Sequence, residues 1–533
     1  MKLGTLDQKH SSYDADRWCQ VEALAKGGKK FREHIGCFLP QNPVEPEEIY
    51  FQRRSQAHYR SYMGSIINLY VGWLFASSFS VKPYERGTET PVAEVDKFYG
   101  FFQEDVGNET QLNAFMQERF RGALTNHKSY WLIELPSNDG QEAEDAADYE
   151  LRGLGRATLK AIERHEMYDW QENEEGELQW AIIHTCYDVR ENWAADRDTT
   201  VETWRVYDDT YVYTFQLTYK KDERPKDENF EVPQVGEPAT HGFKRVPIVC
   251  MHIPMELTIG EATFDTQLEH FRIDNALSWL IRRTCYAQPV FNLADGDAPP
   301  RMGAGYAILL GPDDKIGWTS PPVAPFDVLQ SNLDNKRDEI YRIVHQMAQG
   351  MDNNAETVGR SADSKEIDAA ATRIMLNTYG GFVSKTIEET YELISEARGE
   401  KNYEWSVEGF SGYDTATVST LIANAGLARE LGIPSQTFQK ELCTKVALAL
   451  HPEADQRVKD TIRDEINNAK FVVSSTPASS LLDDAQTAKA ELDRAKAASE
   501  PVKAKAAMTT ANASMTTAKK PTPKPASRPG SPR

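Results

Sequence analysis

Apolar positions repeat with different periods along this chain, and the changes of period divide it. Residues 43–75 carry Tyr50, Tyr59, Tyr62, Ile66 and Tyr70 at helical spacing. Pro46 followed by Glu47 and Glu48 suits a helix start, where carboxylates meet the positive end of the backbone dipole. One helix is predicted through that stretch. Another is predicted over 108–124, with Leu112, Phe115, Met116 and Phe120 on one face. The short apolar run 129–135 reads as a strand. From 178 to 219 the period falls to two, and Thr, Val, Tyr and Trp are enriched. With the later run 246–254, this predicts an antiparallel sheet. The polar stretch 220–242 reads as a hairpin loop, and the polar residues 1–42 as an arm.

After Pro254 the helical period returns. A helix is predicted over 260–286, with Phe264, Leu268 and Phe271 on one stripe and Leu277, Leu280 and Ile281 on another. Short strands at 289–293, 305–310 and 315–319 follow, separated by turns rich in Gly, Asp and Pro. Residues 327–350 repeat apolar positions at Leu329, Leu333, Ile340, Val344 and Met347. Residues 365–397 do so at Ile367, Ala371, Ile374, Met375, Phe382, Ile387, Tyr391 and Ile394. Gly380 and Gly381 fall inside that last helix. Each costs about 0.5–1 kcal/mol against Ala, so a kink or break is expected there. A further helical region spans 415–468, with a stop near Pro434 and a fresh cap at Ser435. Beyond 471 the chain is rich in Ala, Lys, Thr, Ser and Pro and reads as disordered.

Composition adds bounds. The 533 residues are 40% hydrophobic and 10% aromatic, enough for real cores, and long enough for two to four domains. Lys and Arg number 60 against 81 Asp and Glu, a net charge of −21. Residues 501–533 hold seven Lys and Arg and no acid, so the preceding residues carry −28. That argues against coating nucleic acid by bulk charge. The six cysteines form no CxxC pair, as expected of reduced thiols in a soluble intracellular chain. No signal peptide is read at the N-terminus. The longest apolar stretch, 66–79, falls short of the ~20 residues a membrane span needs.

Signatures of catalysis are absent. No GxxxxGK[ST], GxSxG or HExxH occurs, and the histidines do not cluster at ligand spacing. Gly153 and Gly155 follow an acidic run rather than a strand, so they make no dinucleotide fingerprint. The acids between 137 and 150 lack the order of a calcium loop and read as a solvated loop. Arg164, His165 and Glu166 read as part of a surface helix. No catalytic residue, metal or cofactor is expected.

What stands out is the order of elements: a mixed α/β domain, a helix, a small β insert, a helix, a polar loop, a long helix, a helical end and a basic tail. With the runs GEATFDTQLEHFRIDNALSWLIRRTCYAQPVFNLADGD, GAGYAILLGPDDKIGWTSPP, PFDVLQSNLDNKRDEIYRIVHQMAQGM and SADSKEIDAAATRIMLNTYGGFVSKTIEETYELI, the chain resembles portal proteins of tailed bacteriophages over roughly 43–470. The resemblance implies a mixed α+β, helix-rich portal fold. Its parts would be an arm at 1–42, a wing at 43–259, and a stem helix at 260–286. A clip at 287–325 and a second stem helix at 326–350 would follow. A tunnel loop would occupy 351–364, a long kinked wing helix 365–399, a helical wing or crown 400–470, and a disordered basic tail 471–533.

The resemblance further implies a ring, usually of roughly twelve copies, closed by heterologous contacts at one capsid vertex. Double-stranded DNA would pass through it without sequence specificity during packaging and ejection. A terminase ATPase, a head–tail adaptor and a capsid or scaffold protein would dock on it. Asn353, Asn354, Glu356, Thr357, Arg360, Ser361 and Lys365 are the candidate channel residues, with Arg360 and Lys365 for transient phosphate contacts. Gly380 and Gly381 would bend the long helix so that this loop points inward. The acidic body would act as a non-stick lining. The alternatives are another head–tail structural protein, such as a minor capsid protein or adaptor, or a phage-associated hydrolase.

Overall fold

The computed structural model describes residues 1–76, 78–87, 92, 97–136, 156–190, 193, 198–221, 223–284, 288–292, 315–319, 324–350, 362–400, 403–410, 422, 425–426, 435–451 and 456–469. The chain is mixed α+β and rich in helix. It divides into two units, Met1–Asp414 and Thr415–Arg533.

In the first unit the N-terminal residues are not a free arm. They fold as α1 (Leu3–Leu6), α2 (Ala15–Lys26), α3 (Gly28–Glu33) and α4 (Ile35–Phe38). Asp14 starts α2 by accepting the Arg17 N–H at 3.0 Å. Leu6, Val21, Leu24, Phe31, Ile35 and Phe38 are all buried. Their helices are too short for a periodic stripe to show, which is why the segment reads as polar. The predicted long helix is two, α5 (Glu47–Gln56) and α6 (Tyr62–Leu74), because Ser61 caps a new start. Ser61 Oγ accepts the Gly64 N–H at 2.9 Å and donates to Leu24 O at 2.7 Å.

The chain continues through β1 (Ser80–Glu85), α7 (Lys97–Glu104), α8 (Leu112–Asn126), β2 (Lys128–Glu134) and β3 (Thr158–Ile162). It goes on through β4 (Met167–Glu172), β5 (Leu178–Val189), β6 (Thr199–Tyr207), β7 (Tyr211–Lys220), β8 (Ala239–Thr240) and β9 (Ile248–His252). The period-two stretch forms the antiparallel sheet β4-β5-β6-β7-β8, and a second antiparallel sheet runs β3-β2-β9. Alternation sends Ile182 and Ile183 to opposite faces. Ile182 joins Trp204, Phe215, Leu217, Leu3 and Leu6; Ile183 joins Tyr130, Met167, Trp170 and Ile248. The polar 220–242 stretch is held by the N-terminus: Leu3 N–H donates to Phe230 O at 2.8 Å, and Arg224 bridges Asp7 at 2.9 Å and Glu202 at 3.0 Å.

Four elements follow: α9 (Ile259–Thr284), β10 (Gln288–Asn292), β11 (Lys315–Thr319) and α10 (Ala324–Gly350). After them come α11 (Ala362–Ala397) and β12 (Tyr403–Glu408), which pairs antiparallel with β1. The predicted strand 305–310, the acids 137–150 and the tail 501–533 lie outside the described residues. The main core gathers α2, α3, α4, α6, α7 and α8 around α9, the end of α10 and α11.

In the second unit, α12 (Gln436–Leu450) and α13 (Gln456–Asn468) pack on each other. Ser435 caps α12 as expected, accepting the Phe438 N–H at 3.2 Å. Lys440 Nζ donates to Asn467 O across the pair.

Candidate functional site

The residues expected to matter lie on and beside α9, α10 and α11. Two observations set the geometry of α9 and α10. The pairing of Gln288 with Thr319 in the β10–β11 ladder brings the end of α9 and the start of α10 together. Lys336 Nζ then meets Glu269 at 2.8 Å, about 20 Å back along α9 at 1.5 Å per residue. The helices therefore run antiparallel as a hairpin with a two-stranded tip.

The root of this hairpin is built into the protein. Phe271 on α9 meets Phe31 edge-on at 4.9 Å, and Phe31 stacks on Tyr59 at 4.1 Å. Gln267 accepts the Tyr62 and Met63 N–H groups at 3.0 and 3.1 Å and donates to Arg60 O at 3.1 Å. It thus satisfies two of the orphan donors at the start of α6. Arg17 pairs with Glu261 at 3.0 Å, and Arg272 donates to Phe38 O at 3.0 Å. Ile340 and Val344 of α10 close the same core.

Farther out, burial stops. Among the described residues of α9 the last buried one is Leu277; on α10 the first is Ile340. Ile281 and Val328 are exposed. Charges on the outer length neutralise each other. Lys336 sits between Glu269 and Glu339, at 2.8 and 3.0 Å, and Arg337 meets Asp334 and Asp338 at 3.2 and 3.0 Å. Each of α9 and α10 carries four acids against three Lys or Arg. The acid surplus of the chain is therefore not a property of the hairpin. On α11 it is larger, seven acids against three bases.

Of the sequence-predicted channel residues, Asn353, Asn354, Glu356, Thr357, Arg360 and Ser361 lie outside the described residues, and Lys365 falls within α11. Of the kink or break expected at Gly380 and Gly381, the break does not occur: α11 is one helix through both. The two glycines differ in kind. A Cβ at Gly380 would stand 2.3 Å from Phe410 O, so this position lets the backbone after β12 pack against the helix. A Cβ at Gly381 would meet nothing within 4 Å. Spacing alone could not separate them. Tyr379, the neighbour of Gly380, is buried and donates to Leu257 O at 2.7 Å, tying α11 to the entry of α9.

Residues 164–166 also correct the sequence reading. They form a short 3-10 turn rather than a surface helix, and Arg164 is buried. Its guanidinium lies 4.2 Å from the Trp18 ring and donates to Tyr130 Oη at 2.7 Å. Among the described residues, no group of three or more His, Cys, Asp or Glu is placed to hold a metal. None of the described helices is long and apolar enough to cross a membrane.

No protein-family profile matches the chain, and no curated protein does. Among solved structures, it is similar to a chain from the neck of an empty gene transfer agent particle computed with C6 symmetry. The identity there is 13%, over 77% of this chain and 94% of that one, with a TM-score of 0.35. A chain from the virion of the native particle gives 11% identity, 78% and 94% coverage, and 0.36. One from the native neck computed with C12 symmetry gives 10%, 80% and 98%, and 0.33.

Proposed function

We propose that this chain is a structural protein of a phage-like head–tail junction, and within that class a portal protein. Copies would form a ring around a channel for double-stranded DNA at one capsid vertex. The observation that carries the reading is the hairpin: a two-helix arm with a β tip, rooted in the core, whose outer length is exposed in the protomer. Apolar side chains such as Val328 and Ile281 are then available for neighbouring copies. A ring places the same arm beside its copy at every step and closes by rotation.

The charge pattern supports the passage of DNA rather than its capture. Lys336 and Arg337 are already paired with acids on the arm. Fewer unpaired cations mean fewer phosphate contacts and a weaker counterion-release term. Residues 351–361 connect α10 to α11. In this reading that connection faces the channel, with Arg360 on it and Lys365 in the first turn of α11 touching phosphates in passing. The function is mechanical, not catalytic. A terminase ATPase, a head–tail adaptor and a capsid or scaffold protein are the partners it implies.

Negative-stain microscopy of the purified full-length chain tests the proposal. The expected result is rings with a central opening wide enough for duplex DNA, about 20 Å. A compact monomer or dimer at all concentrations overturns it. A closed disc without an opening would favour another head–tail structural protein. Electrophoretic retardation of duplex DNA should be weak even at low salt; tight, saturable binding would contradict a conduit.

A further inference from the structure

Away from the hairpin, α2, α6, α8, β2 and the 164–166 turn enclose a cavity of about 340 Å³. Its wall includes five cationic side chains and three acids, Glu22, Glu118 and Glu163. Two are accounted for: Lys26 pairs with Glu22 at 2.6 Å, and Arg121 pairs with Glu118 and donates to Asn68 at 3.0 Å. Three are not. Arg119 has a side chain only 14% exposed, yet it donates no hydrogen bond among the described residues. Its nearest acid is Glu163 at 3.9 Å, and that carboxylate is engaged by the Glu166 N–H in a capping box. Lys128 has no ion pair or side-chain hydrogen bond among the described residues; its ammonium lies 5.9 Å from the Trp170 ring. Arg164 uses one terminal nitrogen on Tyr130 and the other on His127 Nε2 at 3.4 Å, leaving its Nε unpartnered.

A guanidinium offers five donors; the Nε of Arg119 is buried without a partner, and no side-chain acceptor lies within hydrogen-bond distance of its terminal nitrogens among the described residues. Burial pulls the Arg119 guanidinium below its ordinary value. Buried cations are retained where something pairs with them. A cavity of this volume is within the range of small-ligand sites. Arg is suited to tetrahedral oxyanions because its planar fork meets two oxygens at once.

We infer that this cavity binds a phosphate group, held by the terminal nitrogens of Arg119, with Lys128 and Arg164 adding positive charge to the wall. The inference stands on the cavity wall and is independent of ring formation. Either free phosphate or the phosphate of a mononucleotide supplies this chemistry.

Thermal unfolding of the full-length chain tests it, with inorganic phosphate or adenosine monophosphate titrated against chloride at matched ionic strength. Phosphate should raise the unfolding temperature beyond the chloride control. A larger rise with the mononucleotide identifies the nucleotide as the source; an equal or smaller one identifies the free ion. Arg119→Met should abolish the phosphate-specific rise while raising the unfolding temperature of the ligand-free protein, since it removes a largely buried charge whose only acid contact, Glu163, is at 3.9 Å. A purely structural Arg119 would give the opposite sign. Should Arg119→Met fail to fold, Lys128→Gln at the same wall should reduce the phosphate-specific rise. No phosphate-specific rise in the parent chain overturns the inference, as does one that survives in both variants.

Discussion

The root and the outer length of the α9–α10 hairpin belong to the same two helices, yet they obey different rules. At the root, Phe271 fits between aromatic rings and Gln267 satisfies backbone groups of another helix. Beyond Leu277, and before Ile340, the described side chains are half-buried or exposed. The root is determined by packing within one protomer. The outer arm keeps its helical form through local hydrogen bonds and i,i+3 ion pairs, which are worth only tenths of a kcal/mol each. A helix that persists past its own core leaves a surface that only another molecule can cover.

The largest test of that contrast is Phe271→Ala. It should destabilise the protomer by about 3–5 kcal/mol, read by denaturant unfolding of the first unit's transition. A loss below about 1 kcal/mol would show the root to be loosely packed. Gly380→Ala comes next, because its new Cβ would press on Phe410 O, a backbone atom that cannot rotate away. A loss of about 1–3 kcal/mol is expected. Gly381→Ala, one residue on, should be neutral or stabilising by up to about 1 kcal/mol. Equal effects at the two positions would erase the distinction drawn between them.

A pH titration gives a smaller, graded effect. Burial, helped by the positive charge of Arg164, pulls His127 down to about 4. The unfolded chain therefore takes up this proton first, at about 6.5, and stability falls as pH drops from about 6.5 towards 4. His127→Asn should flatten that slope; Asn suits the left-handed backbone at this position, where φ is +56°. Other histidines, half-buried His184 and buried His270 among them, are lowered for the same first reason and should leave part of the slope in place. The smallest effect on the protomer belongs to the outer arm. Val328→Ser with Ile281→Ser should change unfolding by less than about 0.5 kcal/mol, while lowering the fraction of rings seen by microscopy. Rings unchanged in number would show that these side chains do not join copies.

Long periodic segments were legible from sequence, and short ones were not. The helices predicted at 260–286, 327–350 and 365–397 appear as Ile259–Thr284, Ala324–Gly350 and Ala362–Ala397. A stripe repeated over many turns outweighs single residues. The first 42 residues looked polar because four short helices each offer one to five buried positions. The strand Tyr403–Glu408 gave no signal, since its partner is β1, more than three hundred residues earlier. Arg164 looked like a surface charge because nothing local announces Trp18 and Tyr130 as its neighbours.

Sequence by itself determined the mixed α+β class, the period-two sheet region, the long helices and the cap at Ser435, because these depend on residues close together in the chain. Tertiary structure alone decided where the N-terminal helices dock, which glycine is a packing contact, and that Arg119, Lys128 and Arg164 share one cavity. Those depend on groups brought together from distant parts of the chain, and a pattern read along one dimension does not contain them.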